Sequence, residues 1–368
     1  MAQINSPVFY RVAILLLTVA LVAGGCGGDK PAPSPTPASV TPTSAPAPTA
    51  PSVNVALSPL TTPGGVMPGL SPLPVPQTQT QSTAPVQPLK ASGAAQGKIL
   101  WHSDRGGDVQ IWVMDDNGQN SRQLTQGEGV GTNDEPVWSP DGQQVVFASD
   151  RDNEQAFQIY LMNADGSNQR PLMPFHASHN WGPDWSPDGR QVVFQTNRGA
   201  NANFEIYAVA TDGANLRNLT DHPANDSRPR WSPDGKQIIF VSNRTGRRAL
   251  FVMNADGSDV RQLTDSAGED DLPRWSPDGR EILFQSTRGG GGFFGIYVMK
   301  ADGSNVRPIG NFSGNVNAPT WAREGRVIIF ASTRDDPMWD LYMMDRDGSN
   351  LRRLTDNFKT DRFPAWHP

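Results

Sequence analysis

Trp138-Ser139-Pro140-Asp141-Gly142 returns as Trp185-Ser186-Pro187-Asp188-Gly189, as Trp231-Ser232-Pro233-Asp234-Gly235 and as Trp275-Ser276-Pro277-Asp278-Gly279. Two eroded copies follow. Trp321 is trailed by Ala322-Arg323-Glu324-Gly325, and Trp366 by His367-Pro368 alone. The six tryptophans lie 47, 46, 44, 46 and 45 residues apart. A fixed period of this length marks a supersecondary unit that cannot bury its own apolar faces and must stack against copies of itself.

Between tryptophans the text repeats as well. Val145-Val146-Phe147 leads to Ser149-Asp150-Arg151, a variable loop, then Ile159-Tyr160-Leu161-Met162 and the turn Asp165-Gly166. Short apolar, β-branched runs parted by Pro-Asp-Gly and Asp-Gly read as strands joined by tight hairpins. Four strands are expected per repeat: Pro-x-Trp, the run before Ser-x-Arg, Ile-Tyr-x-Met, and the segment ending in Leu-Thr. The second run is continuously apolar, as in a strand buried on both faces. Such units are expected to form the blades of an all-β fold, a β-propeller.

The ends set the blade number. The repeats open at Lys98 on a second strand, Ile99–Trp101 followed by Ser103-Asp104-Arg105, and close on a first strand, Pro364-Ala365-Trp366. Six first strands and six second strands give six blades, with the C-terminal strand joining the N-terminal blade and leaving no open sheet edge.

Pro-x-Trp-Ser-Pro-Asp-Gly, Ser-x-Arg, Ile-Tyr-x-Met and Asp-Gly-Ser-Asn together resemble the WD40-like PD40 repeat of TolB-type propellers, over residues 98–368. The repeating Gly-His and Trp-Asp marks of true WD40 blades are missing. TolB proteins carry an N-terminal α/β domain, and here a different segment holds that place. The resemblance implies the fold and a binding role. Similar propellers also occur in prolyl-oligopeptidase-like and tricorn-like peptidases and in oligogalacturonate lyases.

Residues 1–25 read as a signal peptide: Arg11 flanks an apolar stretch, residues 12–23, too short to span a bilayer. Ala23-Gly24-Gly25-Cys26 looks like the lipobox of bacterial lipoproteins, with Cys26, the sole cysteine, as the acylated residue. Residues 26–97 read as a tether. Between positions 31 and 89 there is no charged residue, and 16 of the 33 prolines fall there, so little apolar surface is present to offset ordering entropy. Some 70 residues of such coil would reach on the order of 50 Å. Loss of the signal peptide removes Arg11 and no acid, leaving 30 basic and 37 acidic residues and a net charge of −7. That balance excludes nucleic acid, whose phosphates need a basic surface.

The six copies can be compared with one another. The turns after Trp and after Ile-Tyr-x-Met hardly vary. The loops after Ser-x-Arg and those before Pro-x-Trp differ in every blade and are expected on one face, around the tunnel mouth, where function is usually placed. The partner-binding candidates are Glu135, Trp181, Asp221, Asp226, Asp270, Asp271, Phe312 and Phe363, an acidic and aromatic set suited to a protein, a peptide or a glycan. His176, His179 and His222 are weak metal candidates, by residue type, for zinc or manganese. Arg105, Arg151, Arg198, Arg244, Arg288 and Arg334 need partners if buried. The residue three before each Pro can serve as that partner, being Asn133, Asn180, Asp226, Asp270 or Asp361, with Val316 the exception.

No nucleophile elbow and no phosphate-binding loop occurs in the sequence. The reading is a monomeric, lipid-anchored, extracytoplasmic protein of the cell envelope, on its periplasmic or surface side. It binds or scaffolds partners through the variable face and needs no cofactor. The rival is a metal-dependent lyase or glycan hydrolase at the tunnel mouth.

Overall fold

The computed structural model describes residues 96–126, 131–152 and 156–368; Cys26 and the proline-rich segment lie outside them. The described residues form six antiparallel sheets of four strands each. Blades 1 to 5 occupy 133–171, 180–218, 226–262, 270–309 and 316–353, and blade 6 joins 361–367 to 98–123. The innermost strand of each blade is the one bearing Pro-x-Trp: Asn133–Trp138, Asn180–Trp185, Asp226–Trp231, Asp270–Trp275, Val316–Ala322 and Asp361–His367. Each packs against the inner strands on either side, so the six close a ring around a channel.

Apolar packing between blades holds the ring. Phe147, Phe194, Phe240, Phe284 and Phe330 recur on the second strands, fully buried, and Trp101 takes their place in blade 6. Six apolar clusters fill the six blade-to-blade interfaces. One joins Leu100, Ile111 and Val113 of blade 6 to Val145 and Phe147 of blade 1. Another joins Ile99, Trp101 and Met114 of blade 6 to Val327 and Ile329 of blade 5. Full burial of one such side chain contributes about 2 kcal/mol.

The hairpin motifs act locally. In the first repeat the Ser139 hydroxyl donates to Asp141 Oδ1 at 2.6 Å and accepts the Gln144 amide at 2.9 Å, while Gly142 supplies a φ of 68°. The fourth strands are only two or three residues long. In blade 6 the Leu-Thr end explains why: Thr125 Oγ1 accepts the Ile111 amide at 2.9 Å, replacing a backbone acceptor that a longer strand would have supplied. Thr220, Thr264 and Thr355 do the same in blades 2, 3 and 5.

The Ser-x-Arg arginines clamp the first strand to the second within each blade, through the residue three before Pro. Arg151 reaches Asn133 Oδ1 at 2.5 Å, Arg198 reaches Asn180 at 2.9 Å, Arg244 reaches Asp226 at 2.7 Å and Arg288 reaches Asp270 at 2.6 Å. Each guanidinium also lies over aromatic rings, as Arg151 does over Tyr160 at 4.8 Å. Val316 offers no acceptor in blade 5, and Arg334 turns to its neighbour Asp335 at 3.3 Å.

In blade 6 the clamp is also the closure. Asp361, wholly buried, accepts from Arg105 at 2.6 Å and from Trp101 Nε1 at 3.0 Å, and Ile99 pairs with Trp366 across the ladder. Deleting residues 361–368 is therefore expected to abolish cooperative thermal unfolding near the full-length midpoint. Asp361→Ala, which leaves Arg105 without its carboxylate, is expected to cost about 3 kcal/mol in a denaturant titration. An unchanged midpoint for the truncated chain would refute the closure.

Candidate functional site

A strained bulge in every inner strand shapes the channel lining. The third residue of each has a positive φ: Glu135 50°, Gly182 63°, Arg228 57°, Leu272 50°, Ala318 49° and Phe363 52°. At the same point the pairing with the second strand slips. Such bulges re-aim side chains beside binding sites. At the five non-glycine positions each costs on the order of 1 kcal/mol or more, which the surrounding ring must hold in place.

Contacts that skip a blade can be made only across the axis, and the lining makes several. Arg228 of blade 3 forms an ion pair with Glu135 of blade 1. The same guanidinium lies 5.6 Å from the Phe363 ring of blade 6, on the far side. Beneath this layer Arg274 of blade 4 faces Asp184 of blade 2 at 3.7 Å.

The mouth layer is densely charged and largely buried. His102 Nδ1 pairs with the Asp134 carboxylate, which also accepts the Glu135 amide at 2.7 Å. Burial opposes the charge on Asp134, but His102, the Glu135 amide and Arg228 outweigh it and hold the carboxyl below its ordinary value. Arg248 binds Glu269 at 3.1 Å and Asp271 at 2.6 Å on the rim. Arg362 has no carboxylate of the described residues within salt-bridge distance. Its guanidinium lies 4.6 Å from the Trp339 ring and 5.6 Å from Phe363, with Asn317 Oδ1 at 3.3 Å. Burial, with Arg228 nearby and Asp134 opposing, pushes it down to about 10.

An aromatic shelf adjoins this layer. Trp181 stacks on His179 at 5.3 Å and meets Phe157 at 4.5 Å and Phe204 at 6.5 Å. Burial keeps His179 below its usual value, so it is neutral in the stack at physiological pH. Two buried atoms of this region have no hydrogen-bond partner among the described residues: Trp181 Nε1 and Glu135 Oε2.

Of the residues singled out from sequence, Glu135, Trp181, Asp271 and Phe363 come together at the mouth. Asp226 and Asp270 stand behind them, committed to Arg244 and Arg288. Phe312 packs edge-on against Phe330 at 5.2 Å, within the blade 4 and 5 interface. Asp221 is exposed on the loop before blade 3. His176 and His222 accept the nearby Ser178 and Ala224 amides at 3.1 and 3.0 Å. Among the described residues no group of three or more His, Cys, Asp or Glu side chains is placed to hold a metal. Sequence reasoning passed over Asp184, Arg230 and Arg274. Each is the middle residue of a Pro-x-Trp, and the x is Val137, Asp184, Arg230, Arg274, Thr320 or Ala365 in the six copies. That variation inside an otherwise constant motif was the signal to follow.

Known proteins share this fold. Residues 169–261 and 229–310 match the PD40 family, described as the TolB beta propeller domain. TolB from Acinetobacter baumannii superposes with a TM-score of 0.65 at 22% identity, covering 75% of this chain and 68% of that one. A structure assigned to TolB from Agrobacterium tumefaciens gives 0.58 at 23% identity, covering 75% of this chain and all of the other. A curated relative, the uncharacterized peptidase YuxL of Bacillus subtilis strain 168, is 39% identical over 62 residues, which is 17% of this chain and 9% of that protein.

Two outcomes follow from the lining. Arg228→Met strands the Glu135 carboxylate and is expected to cost about 3 kcal/mol, whereas the Arg228→Met, Glu135→Met double variant recovers most of it in a denaturant cycle. Additive losses would mean that the pair is not coupled. The lowered Asp134 carboxyl stabilises the fold above the unfolded carboxylate value near 4, and this contribution drains away as pH falls through the folded value. Asp134→Asn should therefore flatten the acid limb of the stability profile below about pH 5, measured by denaturant titration. A limb of unchanged steepness would count against that role.

Proposed function

We propose, from the premise that the chain carries a TolB-type PD40 β-propeller, that it is a membrane-tethered, extracytoplasmic binding or scaffolding protein of the cell envelope. Its channel mouth receives a segment of a protein or peptide partner. One observation carries this reading. The mouth presents binding groups that the fold leaves short of partners: the Arg362 guanidinium, which has two aromatic rings and the Asn317 amide oxygen but no carboxylate, the free Glu135 Oε2 and the Trp181 indole N–H. Buried polar groups left without partners are costly to the free protein and reward a ligand that supplies them. Tryptophan and arginine in a desolvated setting are also the residue types that dominate binding energy at protein interfaces.

The exposed aromatic residues extend the surface outward. Phe175, Phe293 and Phe358 are exposed on the loops around the same face, with Phe358 almost fully so. A lipid on Cys26 and the proline-rich tether would hold this face within reach of envelope partners.

Capture from envelope extract by the mature chain, compared with the Trp181→Ala, Arg362→Ala double variant, tests the reading. The variant is expected to lose a partner that the parent retains, by at least tenfold in recovered amount. Full retention by a folded variant would place recognition elsewhere, and recovery of saccharide in place of protein would replace the partner class. Separately, Cys26→Ser should move the protein from the membrane fraction to the soluble one. Unchanged partitioning would remove the lipid anchor from the account.

A further inference from the structure

The layer beneath the mouth carries an imbalance of charge that the fold does not resolve. The fifth positions of the six inner strands contribute two guanidiniums, Arg230 and Arg274, and one carboxylate, Asp184; Val137, Thr320 and Ala365 contribute none. Glu135, the nearest other acid, is already paired with Arg228 in the layer above.

The bonds made by these groups leave the excess in place. Arg230 is buried, at 3% exposure, yet no carboxylate of the described residues lies within salt-bridge distance of it. Its Nη1 alone meets the carbonyls of Gly182 at 3.1 Å, Pro183 at 3.1 Å and Pro229 at 2.8 Å. Those contacts fix the plane of the guanidinium and engage none of its remaining N–H groups. Arg274 is held 3.7 Å from Asp184 Oδ1, too far for a hydrogen bond, and its side chain keeps 20% exposure to solvent. Asp184 spends its other oxygen on the Trp231 amide at 2.8 Å. Two guanidiniums thus share one carboxylate in a desolvated space. A buried charge so incompletely balanced is costly, and a counter-charge that completes it is rewarded.

We propose that Arg230 and Arg274 seat a small oxyanion, a phosphate or a carboxylate group, in the lower channel. Paired guanidiniums with N–H groups free are the geometry that takes such groups by more than one hydrogen bond at once. The electrostatics of the pair agree. Burial and the neighbouring Arg230 push Arg274 down to about 9, against the pull of Asp184, so an incoming anion would raise it again. The Thr320 hydroxyl, in the same layer, adds a donor of the right kind. The seat does not depend on the mouth's partner, because it lies a layer deeper and uses different residues.

The test uses the mature chain with inorganic phosphate and with acetate, each titrated at constant ionic strength against chloride. Thermal midpoint and calorimetric binding are the readouts. The parent is expected to be stabilised by phosphate or acetate at millimolar concentration beyond the chloride control. Arg274→Met should weaken that response at least tenfold, and Arg274→Lys should weaken it less. Arg326→Met, at an exposed arginine outside the inner strands, should leave it unchanged. A response to phosphate alone would identify a phosphate-type ligand. A response to acetate of similar strength would point to carboxylates, including acidic side chains or the chain end of a partner. No response to either anion, or the same response in parent and Arg274→Met, would overturn the proposal. If Arg274→Met fails to fold, the Arg274→Lys comparison decides in its place.

Discussion

A sheet with two apolar faces has no stable resting place in water unless both faces are covered, and in this fold only other sheets can cover them. Every blade here is such a sheet, so the chain has to return to its start. The apolar clusters linking blade 6 to blade 1 and blade 6 to blade 5 can exist only once Asp361–His367 has paired with Lys98–Ser103. The rest of the architecture depends on that contact. It aligns the six inner strands into a ring, and the ring supplies the rigidity that holds five non-glycine residues in left-handed backbone.

Once the ring is closed, its scaffold and its lining separate cleanly. Proline and tryptophan recur in all six blades, the Ser-Asp turn in four and the arginine clamp in five, and together they leave little to vary. The second, third and fifth residues of the inner strands look into the space between blades around the axis, where no neighbour dictates their size or charge. There the molecule places Asp134, Glu135, Arg228, Arg362, Asp184, Arg230 and Arg274. The combination of uniform frame and free lining concentrates charge at the axis of a chain that is acidic as a whole.

The frame was legible in the sequence because each packing problem left a repeated trace. Tryptophan spacing gave the blades, the unpaired first and second strands gave the closure, and the residue three before each Pro gave the clamp, down to the exception at Val316. The lining was harder to see, for a physical reason. Glu135 and Phe363 read as the ends of variable loops, because nothing in the text marks the bulge that draws them into the inner strand. Asp226 and Asp270 fit both readings, clamp partner and partner-binding acid, and the clamp takes one oxygen of each. Arg230 and Arg274 sit between two invariant residues and look like scaffold, until the six copies are compared at that single position. Pairings across the axis, such as Arg228 with Glu135, join residues 93 positions apart and have no local signature at all.

Native-state hydrogen exchange on the amides of the closing ladder tests the central claim most directly. If ring closure underlies everything else, Ile99, Leu100, Ala365 and Trp366 exchange only through global unfolding, with the same opening free energy as the second strands of blades 2 and 3. Fast exchange of residues 361–367 while those interior strands stay protected would show a terminal strand that frays independently, and a propeller held together by something other than its closure.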